Sequence, residues 1–254
     1  MDTENRDVDP NVVNHLLTAT GITRMPREEF LSDAWDYNSG EHVTILGPTN
    51  SGKTYLAYQL LGETATPKLP AVVLVMKPRD STVDKWSKTV KFRKTRVWPP
   101  TPSIWNQERP RGWLLWPRFT MDPDRDDAEL YRQFRRCMLD SYKKGNRIVF
   151  ADEAYSLSDE LGLDKELVTL WTKGRSMDCG LWVASQKPTH IPLWAYSMAE
   201  HMFIHNDPDA RARKRYDEIG GVDPRLVEST IMRLARHEFL YIRRRDGAMC
   251  VIEP

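Results

Sequence analysis

The sequence is short of cysteine, of long apolar runs and of any excess of charge. Cysteine occurs at three positions in 254 residues, Cys137, Cys179 and Cys250. The three are odd in number, far apart and in no CxxC pair, which argues against a disulfide framework or a zinc site and points to a reducing compartment. No apolar run approaches the roughly 18 residues that cross a bilayer. The start, MDTENRDVDP, is acidic where a secretory signal would be basic and then apolar. The expectation is a cytoplasmic protein with no membrane segment. Lysine and arginine number 37 against 36 acids, a formal net charge of +1, so the chain is neither histone-like nor an acidic tail protein. No internal repeat with a period of about 20–50 residues is evident.

What is present is enough to fold. Hydrophobic residues make up 40% and aromatics 10%, with nine tryptophans, too much apolar surface for a disordered chain. The length fits one α/β domain of about 200 residues with short extensions. Residues 1–38 read as a polar N-terminal helical extension, with helices expected after Pro10 and after Pro26. From residue 39 the pattern alternates. HVTIL (42–46), AVVLVM (71–76), RIVFADEA (147–154), LWVASQ (181–186) and HMFIHN (201–206) are apolar runs of the kind buried in parallel sheets. Between them lie helical stretches, of which 128–144 places Leu130, Phe134, Met138 and Tyr142 on one face. A final pair of strands, EFLYIRR and AMCVIEP, flanks a turn at Asp246-Gly247. The predicted fold is α/β: a mostly parallel central sheet flanked by helices, with a C-terminal β-hairpin.

The segment Gly47, Pro48, Thr49, Asn50, Ser51, Gly52, Lys53, Thr54 follows the first of these strands and opens a helix. It fits the phosphate-binding pattern GxxxxGK[ST] (Walker A) in the context that pattern requires. In such a loop, backbone N–H groups wrap the phosphates of ATP, Lys53 reaches the β and γ oxygens, and Thr54 offers its hydroxyl to Mg²⁺. A second buried strand ends in Asp152 and Glu153, the Walker B arrangement. Asp152 is placed to hold the Mg²⁺ shell, and Glu153 to orient or deprotonate the attacking water. The adjacent second acid favours a hydrolase over a kinase.

Gln186 ends the strand expected beside the acidic one, where a polar side chain can sense the γ-phosphate; a simple strand-end turn is the plainer account. Arg175 precedes that strand and is a candidate arginine finger acting on a neighbouring subunit's nucleotide. The alternatives are a solvated surface arginine, or Lys173 in the same role.

Taken together, GPTNSGKT, IVFADE and GRSMDCGLWVASQKPTHIP resemble the FtsK-HerA superfamily of RecA-like (ASCE) P-loop ATPases, over about residues 38–252. The ending FLYIRRRDGAM is similar to that group's late strand and hairpin, although His237 stands where glycine is usual. The resemblance implies a pentameric or hexameric homo-oligomeric ring, nucleotide at the subunit interface and double-stranded DNA in the pore. The compact build is most similar to viral and phage genome-packaging ATPases. That would place the protein in the host cytoplasm, with a portal or capsid vertex protein as a docking partner.

The near-zero net charge conceals a basic block. Between Lys85 and Arg118, nine lysines or arginines face one acid, Glu108, among five tryptophans and several prolines. Residues of about 79–120 read as a Trp/Pro-rich insertion; Lys85, Lys88 and Lys91, spaced three apart, are candidate DNA-binding residues, and the resemblance, in which loops after the second strand face the pore, adds weight to them and brings in Arg79. Packing of a structural insertion is the competing account of the same residues. The leading expectation is a DNA-stimulated ATPase that moves duplex DNA. An ATP-gated switch or loader acting on a protein partner and a conjugation or plasmid-transfer ATPase are the alternatives.

Overall fold

The computed structural model describes residues 22–101, 108–186, 191–207 and 209–254. The expected helix within residues 11–20 lies outside them. Ten strands form one sheet in the order β1-β10-β9-β8-β2-β7-β6-β3-β5-β4. They are β1 Thr23–Pro26, β2 Val43–Leu46, β3 Ala71–Leu74, β4 Arg93–Thr95, β5 Gly112–Leu115, β6 Arg147–Ala151, β7 Cys179–Ser185, β8 His201–Ile204, β9 Phe239–Arg243 and β10 Ala248–Glu253. From β8 across to β4 every pairing is parallel. β9 runs antiparallel to both β8 and β10, which makes the expected terminal hairpin. The fold class is the one read from the sequence.

The main helices are α1 Lys53–Thr64, α2 Ser81–Thr89, α3 Pro123–Lys144, α4 Asp164–Lys173 and α5 Pro224–Ile231. The period of two along each strand divides the core between two faces. In β6, Val149 and Ala151 pack with Leu130, Phe134 and Met138 of α3 and with Leu167 and Leu170 of α4. Ile148 and Phe150 point the other way, into a cluster with Leu56, Leu60 and Leu61 of α1 and Val83 of α2. Each fully buried Leu, Phe or Ile contributes roughly 1.5–3 kcal/mol, so two complete faces hold the central strands rigid. The α3 side of that core is the stripe expected from the sequence. The helix is capped by Asp122, which accepts from the Arg125 N–H, and ends at Gly145 with φ +67°.

Three strands go beyond the sequence reading. Thr23–Pro26, read as part of a helical extension, pairs with β10, and the helical turns that follow over 27–34 bury Phe30. β4 and β5 lie inside the Trp/Pro-rich insertion and widen the sheet beyond β3. They are three and four residues long, and β4 is Arg-Lys-Thr, too short and too polar to show a period. No helix among the described residues is long and apolar enough to cross a membrane.

Candidate functional site

The carboxyl ends of β2, β7, β6 and β3 lie side by side, and the loops that leave them converge. In open parallel sheets such strand ends form the ligand crevice. Here they enclose a cavity of about 330 Å³ lined by Thr49, Asn50, Lys53, Thr54, Asp152, Glu153 and Gln186, among others. The phosphate-loop residues, both acids and the candidate sensor, which the sequence places in three separate segments, therefore share one wall-to-wall site.

The loop's shape follows from two backbone positions. Gly52 has φ +98°, in the left-handed region that favours glycine, and Asn50 has φ +63°, which asparagine tolerates. α1 starts immediately after Gly52 with no side-chain cap. Its first N–H groups and the positive end of its dipole therefore face the cavity, the usual chemistry for holding phosphate. Lys53 is buried, and its ammonium donates to the carbonyls of Gly47 at 2.7 Å and Pro48 at 2.9 Å. Burial lowers the Lys53 pKa, and Asp152 and Glu153 partly restore it.

Thr54 Oγ1 donates to both carboxylate oxygens of Asp152, at 3.1 and 3.0 Å. Burial pushes the Asp152 carboxyl up, against the pull of Thr54 and Lys53. One hydroxyl and one strained carboxylate are the oxygen donors expected for Mg²⁺ held mainly by phosphates. The described residues contain no group of three or more His, Cys, Asp or Glu that would cage a metal unaided. The donor set thus fits a cation that arrives with a nucleotide.

Glu153 is joined to the opposite wall. Gln186 Nε2 donates to Glu153 Oε2 at 3.0 Å, and Thr49 Oγ1 donates to Gln186 Oε1 at 2.7 Å. Burial raises the Glu153 pKa, the Gln186 bond opposes this, and the neighbouring Asp152 charge adds to it. A carboxylate held above its usual range, close to a phosphate cradle, is equipped to accept a proton.

Other residues fall elsewhere. Arg175 lies at the foot of β7, the edge of the sheet opposite the cavity. β7 has seven residues, so the separation is about 20 Å. Its guanidinium is 3.7 Å from Glu200 of the same chain. Arg79 lines the cavity itself, apart from the lysines it was grouped with. Lys85 and Lys88 are exposed on α2, as expected, but the helix ends at Thr89 and Lys91 adopts φ +59°. Lys91 therefore does not share their helical face.

Lys77 and Asp80 also line the cavity and escaped the sequence reading. Lys77 directly follows a buried apolar run, as Asp152 and Gln186 do, but no neighbouring residue completes a motif around it. His237, which replaces the glycine usual in the resembling group, has φ +68°, the conformation glycine would take freely. Its Nδ1 lies 3.1 Å from the Ser51 carbonyl, so the substituted side chain touches the phosphate loop.

Comparison with solved structures gives the same fold. The DNA-packaging ATPase B204 of Sulfolobus turreted icosahedral virus superposes with a TM-score of 0.61 at 15% identity, over 86% of this chain and 99% of that one. The genome-packaging NTPase B204 of Sulfolobus turreted icosahedral virus 2, in complex with ATP-gammaS, gives 0.57 at 16% identity over 86% and 99%. VirB4 of Thermoanaerobacter pseudethanolicus gives 0.61 at 9% identity over 87% and 92%. No protein-family model and no curated relative matches the chain. At these identities the likeness is one of fold.

Proposed function

We propose that this chain is an ATP-hydrolysing motor of the FtsK-HerA superfamily that moves double-stranded DNA, and that its task is viral or phage genome packaging. The observation that carries the chemical half is the convergence of Lys53, Thr54, Asp152, Glu153 and Gln186 on one cavity. The supporting likeness is to packaging ATPases that match this chain over nearly their whole length.

In this reading Lys53 leaves its carbonyl partners to hold the β and γ phosphate oxygens. Thr54 and Asp152 would hold Mg²⁺, which would supply charge neutralisation on the phosphates. Glu153 takes a proton from the attacking water, and Gln186, bonded to Glu153 and Thr49, changes partners when the γ-phosphate departs. Arg175 cannot reach its own chain's cavity, so a catalytic role for it requires a neighbouring copy. This is the arrangement of a pentameric or hexameric ring. Lys85 and Lys88 on α2, with Lys91, are the proposed duplex contacts.

The test is steady-state ATP turnover with and without long duplex DNA. Turnover should rise with duplex and fall to background in Lys53→Ala. Turnover indifferent to DNA, together with nucleotide-dependent capture of a defined protein partner, would replace the motor with an ATP-gated switch.

A further inference from the structure

The β4–β5 end of the sheet carries a cavity of about 810 Å³, larger than the cavity of about 330 Å³ at the strand ends. It sits at the opposite edge of the sheet. Arg93 opens β4, Arg147 opens β6 and Lys144 closes α3, whereas Asp152 follows the far end of β6, about 16 Å away. A ligand here would not compete with one at the phosphate loop.

Its lining is cationic by construction. Arg93, Lys94, Arg96, Arg109, Lys144 and Arg147 face two carboxylates, Glu108 and Asp140. Lys144 and Arg147 come from outside the basic block, so only the fold brings them to it. Asp140 is already committed, accepting from Trp98 Nε1 at 3.0 Å and lying 2.9 Å from Lys144. Among the described residues, Arg93 and Arg109 have no ion-pair partner.

Arg147 supplies the sharpest signal. Its guanidinium lies over the rings of Trp98 and Trp113, at 5.1 and 5.8 Å from their centres. Among the described residues its Nε is buried with no hydrogen-bond partner, and Nη1 reaches Asp140 and Ser141 at only 3.4 and 3.5 Å. The guanidinium is therefore only weakly satisfied within the chain, and the 12% of the side chain that stays exposed is what an anion could engage. A second cavity of about 660 Å³ adjoins along α3, shares Asp140 and adds Arg136 and Lys143. Two adjoining cationic cavities suit a chain of phosphates better than a single one. Guanidinium forks beside indole walls suit nucleic acid better than an acidic peptide.

We propose that the cleft between the β4–β5 edge and the C-terminal end of α3 binds the sugar-phosphate backbone of nucleic acid, as a site separate from the phosphate loop and from the lysines of α2. Its use in translocation rests on the motor reading; its occupancy does not.

The experiment is fluorescence anisotropy of the full chain with a labelled 30-base-pair duplex, without nucleotide, over a range of salt concentrations. Arg93→Glu/Arg109→Glu should weaken binding at least tenfold and reduce the slope of log K against log salt by about 2, at an unchanged thermal midpoint. The milder Arg93→Ala/Arg109→Ala should move the same way. Arg211→Glu/Lys214→Glu, an equal charge change in the helical turns over 210–218 that follow β8, on the other side of the sheet from β4, should stay within about twofold of wild type. Wild-type affinity in the cleft variants, an equal loss in both charge-reversal pairs, or no duplex binding at all would overturn the proposal. Cleft-dependent binding by a chain without ATP turnover would uphold it while the motor reading failed. Turnover without duplex binding would overturn it and leave the hydrolytic site standing.

Discussion

Gln186 holds two of the site's polar groups at once, accepting from Thr49 and donating to Glu153. Alanine there frees the Glu153 carboxylate and removes the acceptor of the Thr49 hydroxyl, while the Lys53 and Thr54 contacts stay in place. Turnover in Gln186→Ala should fall about 10²-fold, the scale of losing one positioned group near a developing charge, with ATP affinity within about threefold of wild type. A parallel collapse of ATP affinity would make Gln186 a structural strut rather than a sensor. At this scale the sequence was informative where a residue type and a strand end coincide, as at Lys53, Asp152, Glu153 and Gln186. Lys77 was overlooked because a single lysine after a strand has no pattern to mark it. The cationic cleft was illegible for a different reason: Arg147 and Lys144 are remote in sequence from Arg93 and Arg109.

Between elements, the turn from α3 into β6 is a tight joint. Gly145 has φ +67°, and a Cβ added there would lie 2.2 Å from the Met177 carbonyl oxygen. Both the conformation and the contact forbid a side chain, since the obstructing atoms are Met177 backbone and not a flexible tip. Gly145→Ala should therefore destabilise the fold by roughly 2–4 kcal/mol, read as a lower urea midpoint. An unchanged midpoint would show that the turn can shift. The long α3 stripe was plain in the sequence because its period repeats, and the buried central strands were plain as continuous apolar runs. β1 and β4 were not, since Thr-Arg-Met-Pro and Arg-Lys-Thr carry no apolar run, and β5 was not, since its Gly-Trp-Leu-Leu sits among the cations and prolines of the insertion.

The whole molecule should be acid-sensitive, for a reason set by two buried groups. His42 accepts from the Leu181 N–H at Nδ1 and lies 3.1 Å from the Trp171 carbonyl at Nε2. Burial, only partly offset by that carbonyl, lowers its pKa from 6.5 to about 4. The unfolded chain binds this proton first, so the stability His42 supports is complete above about pH 6.5 and drains away towards pH 4, by about 3 kcal/mol. Burial tends to raise the pKa of Glu41, but hydrogen bonds from His201 and Asn38 override it and bring the value to about 2. Its contribution is lost at lower pH, from about 4.5 to 2. Asp152 and Glu153, shifted upward, act in the opposite sense. The check is the urea midpoint of wild type and His42→Gln from pH 8 to 4. The wild type should fall more steeply below pH 6.5, and parallel curves would dismiss His42 as the cause.

The order of strands also sets an order of assembly. β2, which carries the phosphate loop, has its neighbours in β7 and β8, with Val43 opposite both Trp182 and His201. Those partners are among the last strands to be synthesised, and closing so long a loop is slow. β3, β5 and β6 can pair with one another well before then. On the ribosome, a half-sheet bearing the cationic cleft would therefore exist before the chain could grip a nucleotide. On the proposed reading of both sites, the newborn chain would meet nucleic acid before nucleotide.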